Sequence, residues 1–170
     1  VSGTLRVHEI YLSLQGESTF TGLPCVFIRL TGCDLRCSYC DTAYAFTGGE
    51  TLTLDSILEQ TTALAEGYPE PPLVELTGGE PLLQKETPVL LAALADRGFT
   101  VLLETSGAHD ISGVDARVHR IVDLKCPSSG ESERNLSTNL QHLRASDEVK
   151  CVISTREDYD WAKAQLRQLF

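Results

Sequence analysis

An α/β fold with a mostly parallel sheet is what this 170-residue chain predicts, on three observations. Short apolar, β-branched runs alternate with segments of helical periodicity. The loops richest in cysteine, glycine and small polar residues follow the ends of those runs, where functional loops sit in such folds. The length suits one domain with a sizeable core.

Taken in order, Leu5–Leu12 and Cys25–Thr31 read as the first two strands. Leu54–Glu66 reads as a helix with Ile57, Leu58, Leu64 and Ala65 on one face. Leu73–Leu76 is a short continuous apolar run of the kind buried in parallel sheets. The second helix is punctuated at both ends, with Thr87 as N-cap, Pro88 at the first helical position, Val89–Arg97 as its body and Gly98 as its stop. Phe99–Glu104, Ile121–Leu124 and Glu148–Ile153 bring the expected sheet to about six strands. The last helix is expected to begin at Ser154, where Ser154 and Glu157 fit a capping box, and to run through Trp161, Ala164 and Leu166. Such alternation implies right-handed crossovers.

The formal net charge is −10. That balance argues against binding a nucleic-acid backbone, which relies on clustered Lys and Arg. No apolar stretch approaches the roughly 20 residues of a membrane span. The expectation is a cytoplasmic enzyme for a small molecule, without direct contact to nucleic acid or membrane.

Four loops would open on one rim. Cys33–Cys40 follows the second strand, Thr77-Gly78-Gly79-Glu80-Pro81 the third, Thr105-Ser106-Gly107 the fourth and Lys125–Gly130 the fifth. The first carries Cys33, Cys37 and Cys40 in C-x3-C-x2-C spacing. A [4Fe–4S] cluster normally takes four thiolates; three, with no fourth in register, leave one iron open to a small molecule. Structural zinc would want paired knuckles or Cys with His, whereas His8, His109, His119 and His142 are scattered. A ferredoxin-type site would want a fourth cysteine followed by proline; Cys126-Pro127 has the dipeptide but stands far away. A disulfide framework needs an oxidising compartment, and no secretory signal is visible. Cys25, Cys126 and Cys151 lie in or beside apolar runs and read as buried, inert thiols.

The cysteine spacing, with Tyr39 just before the last thiol, resembles that of the radical S-adenosylmethionine (SAM) superfamily, and Gly78-Gly79-Glu80-Pro81 is similar to its GGEP motif. The resemblance implies a partial, open β/α barrel in which the methionyl group of SAM chelates the open iron. It assigns Tyr39 to the adenine and the Gly78, Gly79, Glu80 turn to the SAM amino group. Glycines there allow close backbone approach and positive φ. Ser106, Lys125, Ser128 and Ser129 supply hydroxyls and a cation on the same rim, as candidate contacts to the SAM ribose and carboxylate.

Within that superfamily, Leu14-Gln15-Gly16-Glu17-Ser18, Phe27–Gly32 and Cys40-Asp41-Thr42 closely resemble the 7-carboxy-7-deazaguanine synthases of queuosine biosynthesis. The resemblance runs from about Leu5 to the last helix. It implies a lyase reaction on 6-carboxy-5,6,7,8-tetrahydropterin: a 5′-deoxyadenosyl radical takes hydrogen from C6, the ring contracts and ammonia leaves. Arg29 offers a planar, charged fork for the substrate carboxylate, and an unpaired cation in its apolar run would be costly. Glu17 can accept from the 2-aminopyrimidinone edge, and Gln15 can both donate and accept. Leu14, Gly16 and Thr77 complete the candidate substrate contacts. Thr42 matches the family's Mg²⁺ position, with Asp41 as the tempting alternative oxygen ligand. A homodimer and a flavodoxin-type reductant come with the resemblance.

The chain is expected to be a single radical SAM domain spanning residues 1–170 that lacks the family's short C-terminal tail, since Met is absent and the sequence stops at Phe170 after a helical pattern. Competing expectations are a glycyl-radical-enzyme activase, which shares the cysteine and GGEP features but acts on a protein, and a non-enzymatic iron–sulfur sensor or electron carrier.

Overall fold

The computed structural model describes residues 1–169. Its strands are β1 (Thr4–Leu14), β2 (Pro24–Leu30), β3 (Glu50–Thr53), β4 (Leu73–Gly78), β5 (Val101–Thr105), β6 (His119–Asp123) and β7 (Glu148–Lys150), and its α-helices are α1 (Leu54–Ala65), α2 (Thr87–Asp96) and α3 (Arg156–Leu169). The strands form one open sheet in the order β3-β1-β2-β4-β5-β6-β7. From β2 to β7 neighbours are parallel. At the other end β1 runs antiparallel to both β2 and β3.

The α/β class and the open, mostly parallel sheet hold, with one strand more than expected. The addition, β3, is a four-residue edge strand, Glu-Thr-Leu-Thr, largely exposed and too short to carry an alternating apolar pattern. Two helix starts also differ from expectation. Thr87 lies inside α2 and donates its hydroxyl to the Pro81 carbonyl at 2.6 Å, while Glu86 occupies the cap position without a side-chain bond. In α3 the capping box is displaced by one residue. The Asp158 carboxylate accepts from the Ser154 and Thr155 amides at 3.0 and 2.9 Å, and Thr155 Oγ1 accepts from the Asp158 amide at 3.1 Å. A carboxylate one residue further along the chain solves the same problem of orphan N–H groups, and Asp158 is fully buried where it does so.

The period of two along each strand decides where a site can form. Val26, Ile28 and Leu30 of β2, Val74 and Leu76 of β4, and Val101 and Leu103 of β5 face one side. There they pack against Leu54, Ile57 and Leu58 of α1 and Leu90, Leu91 and Leu94 of α2. Each such buried side chain contributes about 1.5–3 kcal/mol. The alternate residues face the other side, which α1 and α2 leave uncovered. Near the strand starts these are apolar: Cys25, Leu73, Leu102 and Ile121 form a second, smaller cluster. Toward the strand ends they become Arg29, Glu75, Thr77, Glu104 and Asp123.

At the starts of β6 and β7 the same sheet is pinned by a buried ion pair. Arg120, 2% exposed, pairs with Asp147 and also donates to the carbonyls of Ile111 and His142. The Arg144 amide donates to Asp147 at 2.7 Å. Among the described residues no helix is long and apolar enough to cross a membrane.

Candidate active site

The polar strand ends and the loops beyond them enclose a cleft of about 500 Å³. Cys33, Cys37 and Cys40 line it together. All six cysteines are free thiols. Burial pushes the Cys33 and Cys37 thiols above their ordinary range, with nearby Lys125 opposing the rise at Cys37. Metal ligation requires thiolates, so loading this loop releases protons. Burial also pushes Cys25 and Cys126 up to about 12, in keeping with inert core thiols.

The cysteine loop is held from outside itself. The Ser38 amide donates to the Ser129 carbonyl at 2.9 Å and its hydroxyl to the Ser128 carbonyl at 2.6 Å. The Arg36 amide donates to Glu131 at 2.5 Å. Asp34 bonds His109 at 3.0 Å and accepts from Arg134 at 2.7 Å. The loops after β5 and β6 thus clamp the loop after β2.

The two glycines of the Gly-Gly-Glu turn are needed for a different close approach than the sequence suggested. A Cβ at Gly78 would lie 2.3 Å from the Leu30 carbonyl oxygen, and one at Gly79 2.1 Å from that of Gly32. The turn is pressed against the backbone that leads into the cysteines. Of the candidate SAM contacts, Gly78, Gly79, Tyr39, Ser106 and Lys125 line the cleft. Glu80, Ser128 and Ser129 do not. Glu80 is fully buried, its carboxylate accepting from the Leu82 amide at 2.8 Å, the Thr105 hydroxyl at 2.9 Å and the Ser106 amide at 2.7 Å. Ser128 donates to Asp158 and Ser129 to the Cys126 carbonyl.

Two buried atoms at the cleft, Tyr39 Oη and Asp123 Oδ1, have no hydrogen-bond partner among the described residues. Buried polar atoms are nearly always satisfied, so this pair marks where a polar ligand belongs. Asp123 Oδ2 holds Lys125 at 2.7 Å, and although burial would lower the lysine, this carboxylate keeps it raised and charged. Among the described residues no three His, Cys, Asp or Glu side chains converge on a single-ion site. A cluster takes each thiolate on a different iron, so the three thiols fit a cluster with a polar ligand beside it.

Gln15, Gly16, Glu17, Arg29 and Thr77 also line the cleft. Leu14 is 62% exposed and is not among the residues that line it. Arg29 is aimed by β1: it donates to Glu9 at 2.8 Å and to the Tyr11 hydroxyl at 3.0 Å. Gln15 is spoken for at both ends of its amide, accepting from the Glu17 amide at 2.9 Å and donating to Glu75. Thr42 and Asp41 both reach the lining, and the Thr42 hydroxyl donates to Asp41 at 2.6 Å.

Sequence reasoning missed Glu75, Glu104, Asp123 and Lys150, all cleft residues. Their signal was present. A carboxylate inside the apolar run Leu73–Leu76 demands a reason as much as Arg29 does.

Comparison with known proteins agrees with this geometry. The family model for the radical SAM superfamily matches residues 27–157. The fold is therefore that of a radical SAM enzyme. A 7-carboxy-7-deazaguanine synthase from Koribacter versatilis is 47% identical over 96% of this chain and 71% of its own length. One from Chlorobaculum tepidum is 46% identical over 95% of this chain and 73% of its own length. The crystal structure of QueE from Escherichia coli superposes with a TM-score of 0.81 at 26% identity, over 96% of this chain and 78% of that one. The chain belongs to the 7-carboxy-7-deazaguanine synthase family of radical SAM enzymes. Its cofactors are accordingly a [4Fe–4S] cluster and SAM, and its chemistry is that of a lyase in queuosine biosynthesis. The activase, sensor and electron-carrier readings fall away with that membership.

Proposed function

We propose that the chain is a single-domain enzyme converting 6-carboxy-5,6,7,8-tetrahydropterin to 7-carboxy-7-deazaguanine in this cleft. One observation carries the reading: the three thiols, Arg29 and the Gln15–Glu17 turn line the same 500 Å³ space. Cys33, Cys37 and Cys40 would hold the cluster, and Tyr39, Gly78, Gly79, Ser106 and Lys125 would hold SAM beside it. When bound, the reduced cluster and SAM supply a one-electron route to a hydrogen-abstracting radical.

The protein's own part is orientation and shielding. Arg29, fixed by Glu9 and Tyr11, presents its remaining N–H groups to the substrate carboxylate. Glu17 accepts from the aminopyrimidinone edge, and Thr77 adds a hydroxyl. Phe27 and Val152 give the wall an apolar surface against which a flat heterocycle packs. Thr42, with Asp41 next to it, is the candidate Mg²⁺ ligand; the ion needs few protein oxygens because it keeps waters and takes substrate oxygens. Glu80, Ser128 and Ser129 serve as anchors that hold the GGEP turn and the cysteine loop in place, because their polar groups are already bonded within the protein. A homodimer, a flavodoxin-type reductant and a cytoplasmic setting complete the proposal, and the acidic balance argues against direct nucleic-acid binding.

The test is anaerobic incubation of the reconstituted protein with SAM, reductant, Mg²⁺ and 6-carboxytetrahydropterin, read by mass spectrometry. Formation of 7-carboxy-7-deazaguanine supports the reading. Release of 5′-deoxyadenosine without that product would refute the substrate assignment while leaving the radical chemistry intact.

A further inference from the structure

Glu75 is a cleft acid to which the assignments above give no task. It is 2% exposed, on β4 between core residues Val74 and Leu76. The charged and titratable groups facing it are Glu104 on β5, Lys150 at the end of β7 and the Cys25 thiol on β2. The only cation among these, Lys150, is committed elsewhere: it donates to Glu104 at 2.6 Å and pairs with Glu17. Glu75 on β4 and Glu104 on β5 are diagonal neighbours on the cleft face of the sheet, and two carboxyls so placed resist ionising together. Glu104 has partners of its own, Lys150 and the Thr77 hydroxyl at 3.4 Å. Burial first, and then the charge on Glu104, push Glu75 up to about 8. A neutral carboxyl offers one O–H donor and one carbonyl acceptor, which matches its two neighbours, Glu104 as acceptor and Gln15 Nε2 as donor.

We propose that Glu75 is a positioning residue for substrate recognition: as a neutral acid it donates to Glu104 and accepts from Gln15, closing a ring that holds Glu17 in its reading position. The ring runs from Glu75 to Gln15, from Gln15 to the Glu17 amide, from the Glu17 carboxylate to Lys150, and from Lys150 through Glu104 back to Glu75. It ties together β4, β5, β7 and the turn after β1. Ionising Glu75 sets two carboxylates against each other and opens the ring at its floor. The expected readout is a weaker substrate KM at alkaline pH, with SAM cleavage untouched. The inference rests on the assignment of Glu17 to the substrate.

The experiment is a pH series of KM and kcat on the reconstituted enzyme, with wild type, Glu75→Gln and Glu75→Ala. Wild type should lose substrate affinity above about pH 8. Glu75→Gln keeps a donor and an acceptor in the same places, so its KM should stay near the neutral-pH wild-type value and lose the alkaline rise. Glu75→Ala breaks the ring and should raise KM about tenfold at every pH, with 5′-deoxyadenosine release in the absence of substrate unchanged. An alkaline rise that survives in Glu75→Gln would overturn the proposal. So would a neutral-pH infrared spectrum of the apoprotein lacking a protonated-carboxyl band that Glu75→Gln removes; this readout is independent of turnover. Failure of the substrate reading itself has a separate signature, a normal KM in Glu17→Ala and Arg29→Ala.

Discussion

Arg120 and Glu75 are both charged residue types exposed by only 2%, on strands of one sheet, and they solve burial in opposite ways. Arg120, at the start of β6, meets an opposite charge and two carbonyls, so its guanidinium is fully engaged. Glu75, at the cleft end of β4, meets a like charge and an amide. The first arrangement is a self-contained pin. The second holds only while a proton is shared, a cost that a purely structural position would have no reason to bear. Strand starts in this sheet are built to stay and strand ends to bind.

Substitutions can break that contrast. The largest effect on function is expected from Cys37→Ala, which removes one of three cluster ligands. Iron, sulfide and turnover should be lost while the urea midpoint stays that of the apo wild type, and full retention of iron and sulfide would sink the ligand assignment. The largest effect on stability is expected at the pin. Asp147→Ala leaves Arg120 buried and unpaired, at a cost of about 3–5 kcal/mol in a domain stabilised by about 5–15 kcal/mol in all; an unfolding curve within error of wild type would end the distinction. Arg29→Ala should raise the substrate KM about tenfold to a hundredfold and spare uncoupled SAM cleavage, whereas an unaltered KM would count against the carboxylate role.

The smallest effect sharpens the contrast by sign. Glu75 is raised from 4.5 to about 8, so the folded state keeps a proton that the unfolded chain releases, and stability falls as pH rises between those values. Asp147 is lowered from 3.8, because Arg120 and the Arg144 amide outweigh the penalty of burial. Its contribution is present above 3.8 and lost only in acid. Between pH 5 and 8, then, the stability difference between wild type and Glu75→Gln should move with pH while that between wild type and Asp147→Asn stays flat. Parallel slopes for the two variants would refute the assignment.

Much of this was legible in the chain. Continuous apolar runs located β2, β4, β5 and β6, and the rule that loops at strand ends carry function gathered the cysteine, GGEP and Ser106 segments correctly. The edge strand β3 escaped because a short exposed strand has no burial pattern to read. The second face of the sheet escaped for a subtler reason. In parallel strands covered by helices on both sides an apolar run has no alternation, and the polar residues in Leu73–Leu76 and Phe99–Glu104 were absorbed into that picture. Here the helices cover one face, and Glu75 and Glu104 mark the other. Side-chain direction also could not be read: Ser106 points into the cleft, whereas Ser128 and Ser129, in an equally suggestive loop, are turned into the protein to hold Asp158 and the Cys126 carbonyl.

The clamp on the cysteine loop sets an order of events during synthesis. Its partners lie far downstream, Glu131 95 residues after Arg36 and Arg134 100 residues after Asp34. A chain made N-terminus first at about 5–20 residues per second leaves its three thiols without their scaffold for roughly 5–20 s. Iron and sulfide delivered in that interval would meet three thiols on an unclamped loop, open to oxidants and to stray zinc. Maturation of this site is therefore expected to wait until the segment through Arg134 has been made and folded.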